Sequence, residues 1–161
     1  MNYLAIDIGG TKFTLALFDE SGAMLKRESR PTDRDGGPRW MTERFPEIVR
    51  TWGVGGGIKA VGIGFGGPVN FTTQSVVLST HVGGWEGFNL VETVKEIFAS
   101  PVLMHNDPTV PALGEGLYRA GKGCRPLRRA VRREHLPLMG HAKFLQHLGR
   151  MAHRLPIGGA A

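Results

Sequence analysis

Three short stretches hold the residue types that phosphoryl chemistry needs. They are Asp7-Ile8-Gly9-Gly10-Thr11-Lys12, Gly62-Ile63-Gly64-Phe65-Gly66-Gly67-Pro68-Val69-Asn70, and the pair Asn106-Asp107. In the first, a Gly-Gly turn joins two strand-like runs, Tyr3 to Ile6 and Phe13 to Phe18. Such a turn can expose successive backbone N–H groups, because glycine tolerates the positive φ it needs. A concavity of that kind binds anions, and Thr11 and Lys12 add a hydroxyl and a cation beside it. A carboxylate at Asp7 suits phosphate only with a metal ion between the two negative charges, such as Mg²⁺ keeping several of its waters. The bland alternative is an ordinary β-turn with Lys12 facing solvent.

At Asn106-Asp107 a strand, Pro101 to His105, hands over to a helix. Asp107 is a favoured N-cap and Pro108 a favoured first helical residue, so a helix N-terminus adds positive potential there. Asp107 is the candidate general base, with a helix cap as its competing role. Gly66-Gly67 either offers backbone contacts or makes only a tight turn before Pro68. Trp85 and Phe88 read as cleft walls or core plugs, Asn89 as a helix cap, and His81 and His105 as structural.

The elements that must position these groups follow from periodicity. Strands are expected at 3–8, 13–19 and 23–30 as a meander. In the second, Phe13, Leu15 and Leu17 alternate with Thr14, Ala16 and Phe18, predicting one apolar face and one only partly so. Trp40, Phe45, Ile48, Val49 and Trp52 predict a helix over 39–52, and Gly55-Gly56-Gly57 a connector. A buried strand is expected at 60–64, a short one at 76–78, a helix at 89–98 and a strand at 101–105. Leu113, Leu117 and Tyr118 continue as a helical stripe that stops near Gly121.

Composition narrows the class. The chain has 161 residues, is 41% hydrophobic and contains one cysteine, Cys124, which excludes an internal disulfide and any Cys-rich metal site. It has no apolar run of the roughly 18 residues a membrane span needs. A cytoplasmic setting is expected. Residues 1–123 carry 12 Lys and Arg against 13 Asp and Glu, while residues 124–161 carry 8 against 1. The basic pI therefore belongs to the tail and gives no whole-chain argument for nucleic-acid binding. Four of the six histidines fall in the tail at a six-residue spacing that fits no ligand pair on one helix face. Phe144, Leu145, Leu148, Met151, Ala152 and Leu155 predict an amphipathic helix over 141–155.

Asp7 to Lys12 resembles the phosphate motif of the ROK sugar kinases, members of the sugar kinase, heat-shock protein and actin superfamily. Gly64 to Asn70 resembles their sugar-loop signature. Asn106-Asp107, followed by Ala112-Leu113-Gly114-Glu115 and Gly121-Lys122-Gly123, resembles their catalytic segment. The resemblance implies an α/β fold: an actin-like (ribonuclease H-like) N-terminal lobe over 1–123, with a mixed sheet and flanking helices, and a basic tail over 124–161. It further implies ATP-dependent phosphorylation of a hexose or amino-hexose with Mg²⁺. Asp107 would be the base, Asp7, Gly9, Gly10, Thr11 and Lys12 the nucleotide side, and Gly67, Thr80, Asn106 and Asp107 the sugar side. Pro108, Pro111 and Arg119 depart from the family pattern, and Pro111 would crowd the Asp107 carbonyl. The family's second phosphate loop, zinc-binding Cys cluster and adenosine pocket have no counterpart here. The change at Cys124 reads as a shifted reading frame or as a new C-terminal helix. The chain alone is therefore expected to be inactive, with a non-catalytic sugar-binding module or a basic interaction module as the alternatives. No DNA-reading domain is expected, and homo-oligomers are open to it.

Overall fold

The computed structural model describes residues 1–53, 57–70, 72–77 and 83–106, within the unit Met1–Asp107. The readings at Leu78, Thr80, His81, Asp107, the helix after it and the tail over 124–161 lie outside the described residues. The chain opens with β1 (Asn2–Ile8), β2 (Lys12–Phe18) and β3 (Met24–Pro31), the expected antiparallel meander. Helix α1 (Gly37–Thr51) leads to β4 (Ile58–Phe65), then to a small hairpin of β5 (Val69–Asn70) and β6 (Ser75–Val76). Helix α2 (Leu90–Phe98) and β7 (Val102–Asn106) complete the order. The five-stranded sheet runs β3-β2-β1-β4-β7, with β4 parallel to β1 and β7 parallel to β4.

Strand register sorts side chains onto two faces, since residues directly paired across strands share a face. Leu4, Ile6 and Ile8 pair with Leu17, Leu15 and Phe13 on one side and with Val61, Ile63 and Phe65 on the other. Together with Met104 they form one buried core with Met41, Phe45 and Ile48 of α1 and Leu90, Val91 and Val94 of α2. On the opposite face Ala5 pairs with Ala16 and with Gly62, and Tyr3 with Phe18. That face is no less buried in β2, where Thr14, Ala16 and Phe18 are 1%, 0% and 1% exposed. The partly apolar second face expected from alternation is thus a fully covered one.

Asn89 caps α2 as expected, its Oδ1 accepting from the Glu92 N–H at 3.2 Å. The helix ends at Ala99, which adopts left-handed φ 49°, ψ 42°. Helix α1 passes through Pro46, which has no N–H for the Thr42 carbonyl one turn earlier. The short strand expected at 76–78 begins one residue earlier, at Ser75. Among the described residues, no helix is long and apolar enough to cross a membrane.

Candidate functional site

Because β1, β4 and β7 run parallel, their carboxyl ends come out at one edge of the sheet. Ile8 pairs with Phe65, and Phe65 with Asn106. The crevice beyond the carboxyl ends of parallel strands is where open α/β sheets bind ligands. The Gly66 N–H donates to the Ile8 carbonyl at 2.8 Å, so the Gly66-Gly67 turn leaves from the same edge as the β1–β2 turn. Asp7, Gly9, Gly10, Thr11, Lys12, Gly67 and the backbone of Asn106 are therefore brought together. Asp107 and Thr80 lie outside the described residues.

The β1–β2 turn is built differently from the sequence expectation. Positive φ occurs at Gly22, Gly37, Gly53, Gly84 and Gly87, and neither Gly9 nor Gly10 is among them. Gly9 instead sits where space for a side chain is tight. Its N–H donates to the Lys12 carbonyl at 3.0 Å, and a Cβ on Gly9 would stand 3.1 Å from that same oxygen. The Gly9 N–H is thus spent on closing the turn. The N–H groups of Gly10 and Thr11 have no hydrogen-bond partner among the described residues. Gly9 and Gly10 are half-buried, whereas Thr11 and Lys12 are exposed.

Thr32, just past β3, holds this turn from behind. Its Oγ1 donates to the Gly9 carbonyl and its N–H to the Thr11 carbonyl, each at 3.0 Å. The sequence contains no signal for this contact, because it spans more than twenty residues and serves no periodic pattern.

Asp7 is half-buried and sits in a row that crosses all five strands: Ser29, Thr14, Asp7, Gly64 and His105. Thr14 and Ser29 share a hydroxyl–hydroxyl hydrogen bond of 2.8 Å, and Gly64 leaves the position beside Asp7 without a side chain. His105 is buried on the same face. Among the described residues no three His, Cys, Asp or Glu gather as a metal cluster. One carboxylate beside a turn with open N–H groups fits Mg²⁺ if phosphate oxygens and water supply the other ligands.

On the other side of the edge, the Gly67 N–H closes onto the Phe65 carbonyl at 2.9 Å, a tight turn before Pro68. Trp85 is 0% exposed and meets Phe65 edge-on at 5.0 Å between centroids, so it plugs the core beneath the strand ends. Phe88 packs edge-on against Trp85. Gln74, also unforeseen, reaches across with Oε1 to accept the Met104 N–H at 2.7 Å, tying the β5–β6 hairpin to the outer edge of β7.

Residues 3–127 match the model of the ROK family. The chain belongs to the ROK family. A glucokinase of Streptomyces coelicolor is 34% identical over 122 residues, a match covering 76% of this chain and 38% of the relative. The ROK glucokinase of Streptomyces griseus, solved in complex with glucose and AMPPNP, superposes with a TM-score of 0.64 at 28% identity. That match covers 76% of this chain and 38% of the other. The ROK hexokinase of Thermus thermophilus gives a TM-score of 0.60 at 29% identity over 72% of this chain. The fold of this ROK chain is that of an actin-like sugar kinase N-terminal lobe, and the chain spans about 38% of the length of these relatives.

Proposed function

We propose that this ROK chain supplies the phosphate-turn lobe for ATP-dependent phosphorylation of a hexose or amino-hexose in the cytoplasm. The observation that carries the reading is the meeting, at one sheet edge, of the β1–β2 turn with the carboxyl ends of β1, β4 and β7. The Gly10 and Thr11 N–H groups receive phosphate oxygens, and Lys12 balances their charge. Asp7 holds the hydration shell of Mg²⁺, which would neutralise charge on the transferring phosphoryl group. Gly67, Thr80 and Asn106 contact the sugar. Asp107, the residue after β7, accepts the proton of the attacking hydroxyl. Positioning supplies most of the catalytic effect in such a transfer, and the base supplies a further factor.

The similarity to a glucokinase solved with glucose and AMPPNP supports the choice of substrate class. The reading is tested by joining residues 1–123 to the remaining lobe of a ROK glucokinase. In that background Asp107→Asn is expected to lower hexose-dependent ADP release by roughly 10²–10⁴-fold with hexose affinity retained. A loss below threefold would make Asp107 a helix cap alone.

A further inference from the structure

We propose that Thr32 is the positioning residue of the phosphate turn, aiming its N–H groups into the cleft by holding its carbonyls from the opposite side. The proposal rests on the phosphate reading of this turn and adds to it the residue that sets the turn's orientation. Planarity of the trans peptide supplies the link. In each unit the C=O and the following N–H point in opposite directions. Thr32 Oγ1 takes the Gly9 carbonyl and the Thr32 N–H takes the Thr11 carbonyl, each at 3.0 Å. The Gly10 and Lys12 N–H groups are thereby turned to the side away from Thr32. Closure of the turn itself, Gly9 N–H to the Lys12 carbonyl, fixes the loop's width but not which way its central peptides face.

Those central residues are otherwise loosely determined, since Gly10 has no side chain and Thr11 is exposed. Glycine has the greatest backbone freedom of any residue, so an unheld Gly10 peptide would sample both orientations. Two hydrogen bonds from one half-buried residue remove that freedom before any anion arrives, which is the condition for a preorganised anion site. The side chain and the backbone of Thr32 act on different peptides, so the two contributions separate by substitution. Valine deletes the Oγ1 bond while keeping the shape and the N–H bond, and serine keeps both.

The test uses the full chain, labelled with ¹⁵N, with magnesium tripolyphosphate as the probe. In Thr32→Val the Gly10 amide resonance is expected to shift and broaden, as its peptide is released to sample both orientations. Tripolyphosphate affinity is expected to fall about 2- to 10-fold, the weight of one hydrogen bond, with the rest of the amide spectrum unchanged, and Thr32→Ser to restore both. An unmoved Gly10 amide resonance in Thr32→Val overturns the proposal. So does a moved Gly10 resonance with undiminished tripolyphosphate affinity, which would make Thr32 a fold contact alone. If tripolyphosphate leaves the Gly10 and Thr11 resonances of the parent chain unmoved, the phosphate reading itself fails, independently of what Thr32→Val does to the Gly10 resonance. Should Thr32→Val not fold, scalar coupling across the Thr32 N–H to Thr11 carbonyl bond is measured in the parent chain. Detection supports the clamp, and its absence overturns it.

Discussion

Two residues show how local hydrogen bonds set measurable properties at the ends of this sheet. In the β2–β3 turn the Ser21 hydroxyl donates to Asp19 Oδ1 at 2.6 Å, and the Ala23 N–H to the same oxygen at 2.9 Å. These bonds, the Ser21 hydroxyl first, hold the Asp19 carboxyl below its ordinary value. A depressed folded-state pKa stabilises the turn above the unfolded value, near 4, and that support is lost as pH falls through the folded pKa. Ser21→Ala is expected to move the Asp19 midpoint upward in a carboxyl-carbon NMR titration; an unmoved midpoint would assign the depression to the backbone alone. Gln74 is the second case. It adopts φ 53°, and its Oε1 accepts the N–H of fully buried Met104. Gln74→Ala leaves that buried N–H without this acceptor, at a cost of about 1–3 kcal/mol in chemical denaturation. Gln74→Glu, which keeps an acceptor, is expected to lose less.

At the scale of elements, α1 carries a built-in weakness that α2 does not. Pro46 deprives the Thr42 carbonyl of its helical donor, and a proline inside a helix costs about 3 kcal/mol relative to alanine. Pro46→Ala is therefore expected to raise the melting temperature, with constraint of the unfolded chain by proline offsetting part of the gain. A fall would show that the ring's contacts in the groove it lines with Arg39, Thr42, Phe88 and Ile97 outweigh the missing bond. Strands β1, β2, β4 and β7 were legible because buried strands read as short apolar runs between turn residues. Helix α1 was legible from the spacing of Trp40, Phe45 and Ile48, and α2 from that of Val91, Val94, Ile97 and Phe98. The turn at Gly9-Gly10 was legible as a turn, yet its mechanism was not. Sequence marks glycine as permissive but does not distinguish a need for positive φ from tight space beside the Lys12 carbonyl. Thr32 and Gln74 were invisible for a related reason. Each makes its decisive bond across more than twenty residues, to backbone atoms whose position only the assembled sheet defines.

For the whole molecule, the candidate edge stands on one aromatic plug. Trp85 is fully buried against Phe65, directly beneath the end of β4. Trp85→Ala is expected to destabilise the chain by about 3–5 kcal/mol and to loosen the Gly66-Gly67 turn, read from amide exchange along β4. The mixed strand order also dictates a time course. The meander β1–β2–β3 pairs residues within the first 31 positions, whereas the parallel ladders must join Ile6 to Ile63 and Ile63 to Met104. Closing long loops costs entropy before their contacts repay it, so local hairpins assemble ahead of distant parallel pairs. Stopped-flow refolding is expected to show Leu15→Ala slowing folding and Met104→Ala chiefly speeding unfolding. The reverse pattern would place the nucleus at the β4–β7 ladder. With Gly9 and Thr11, the partners of the Thr32 clamp, inside the meander, the half of the cleft proposed to receive phosphate takes shape early, and the half beside Asn106 arrives last.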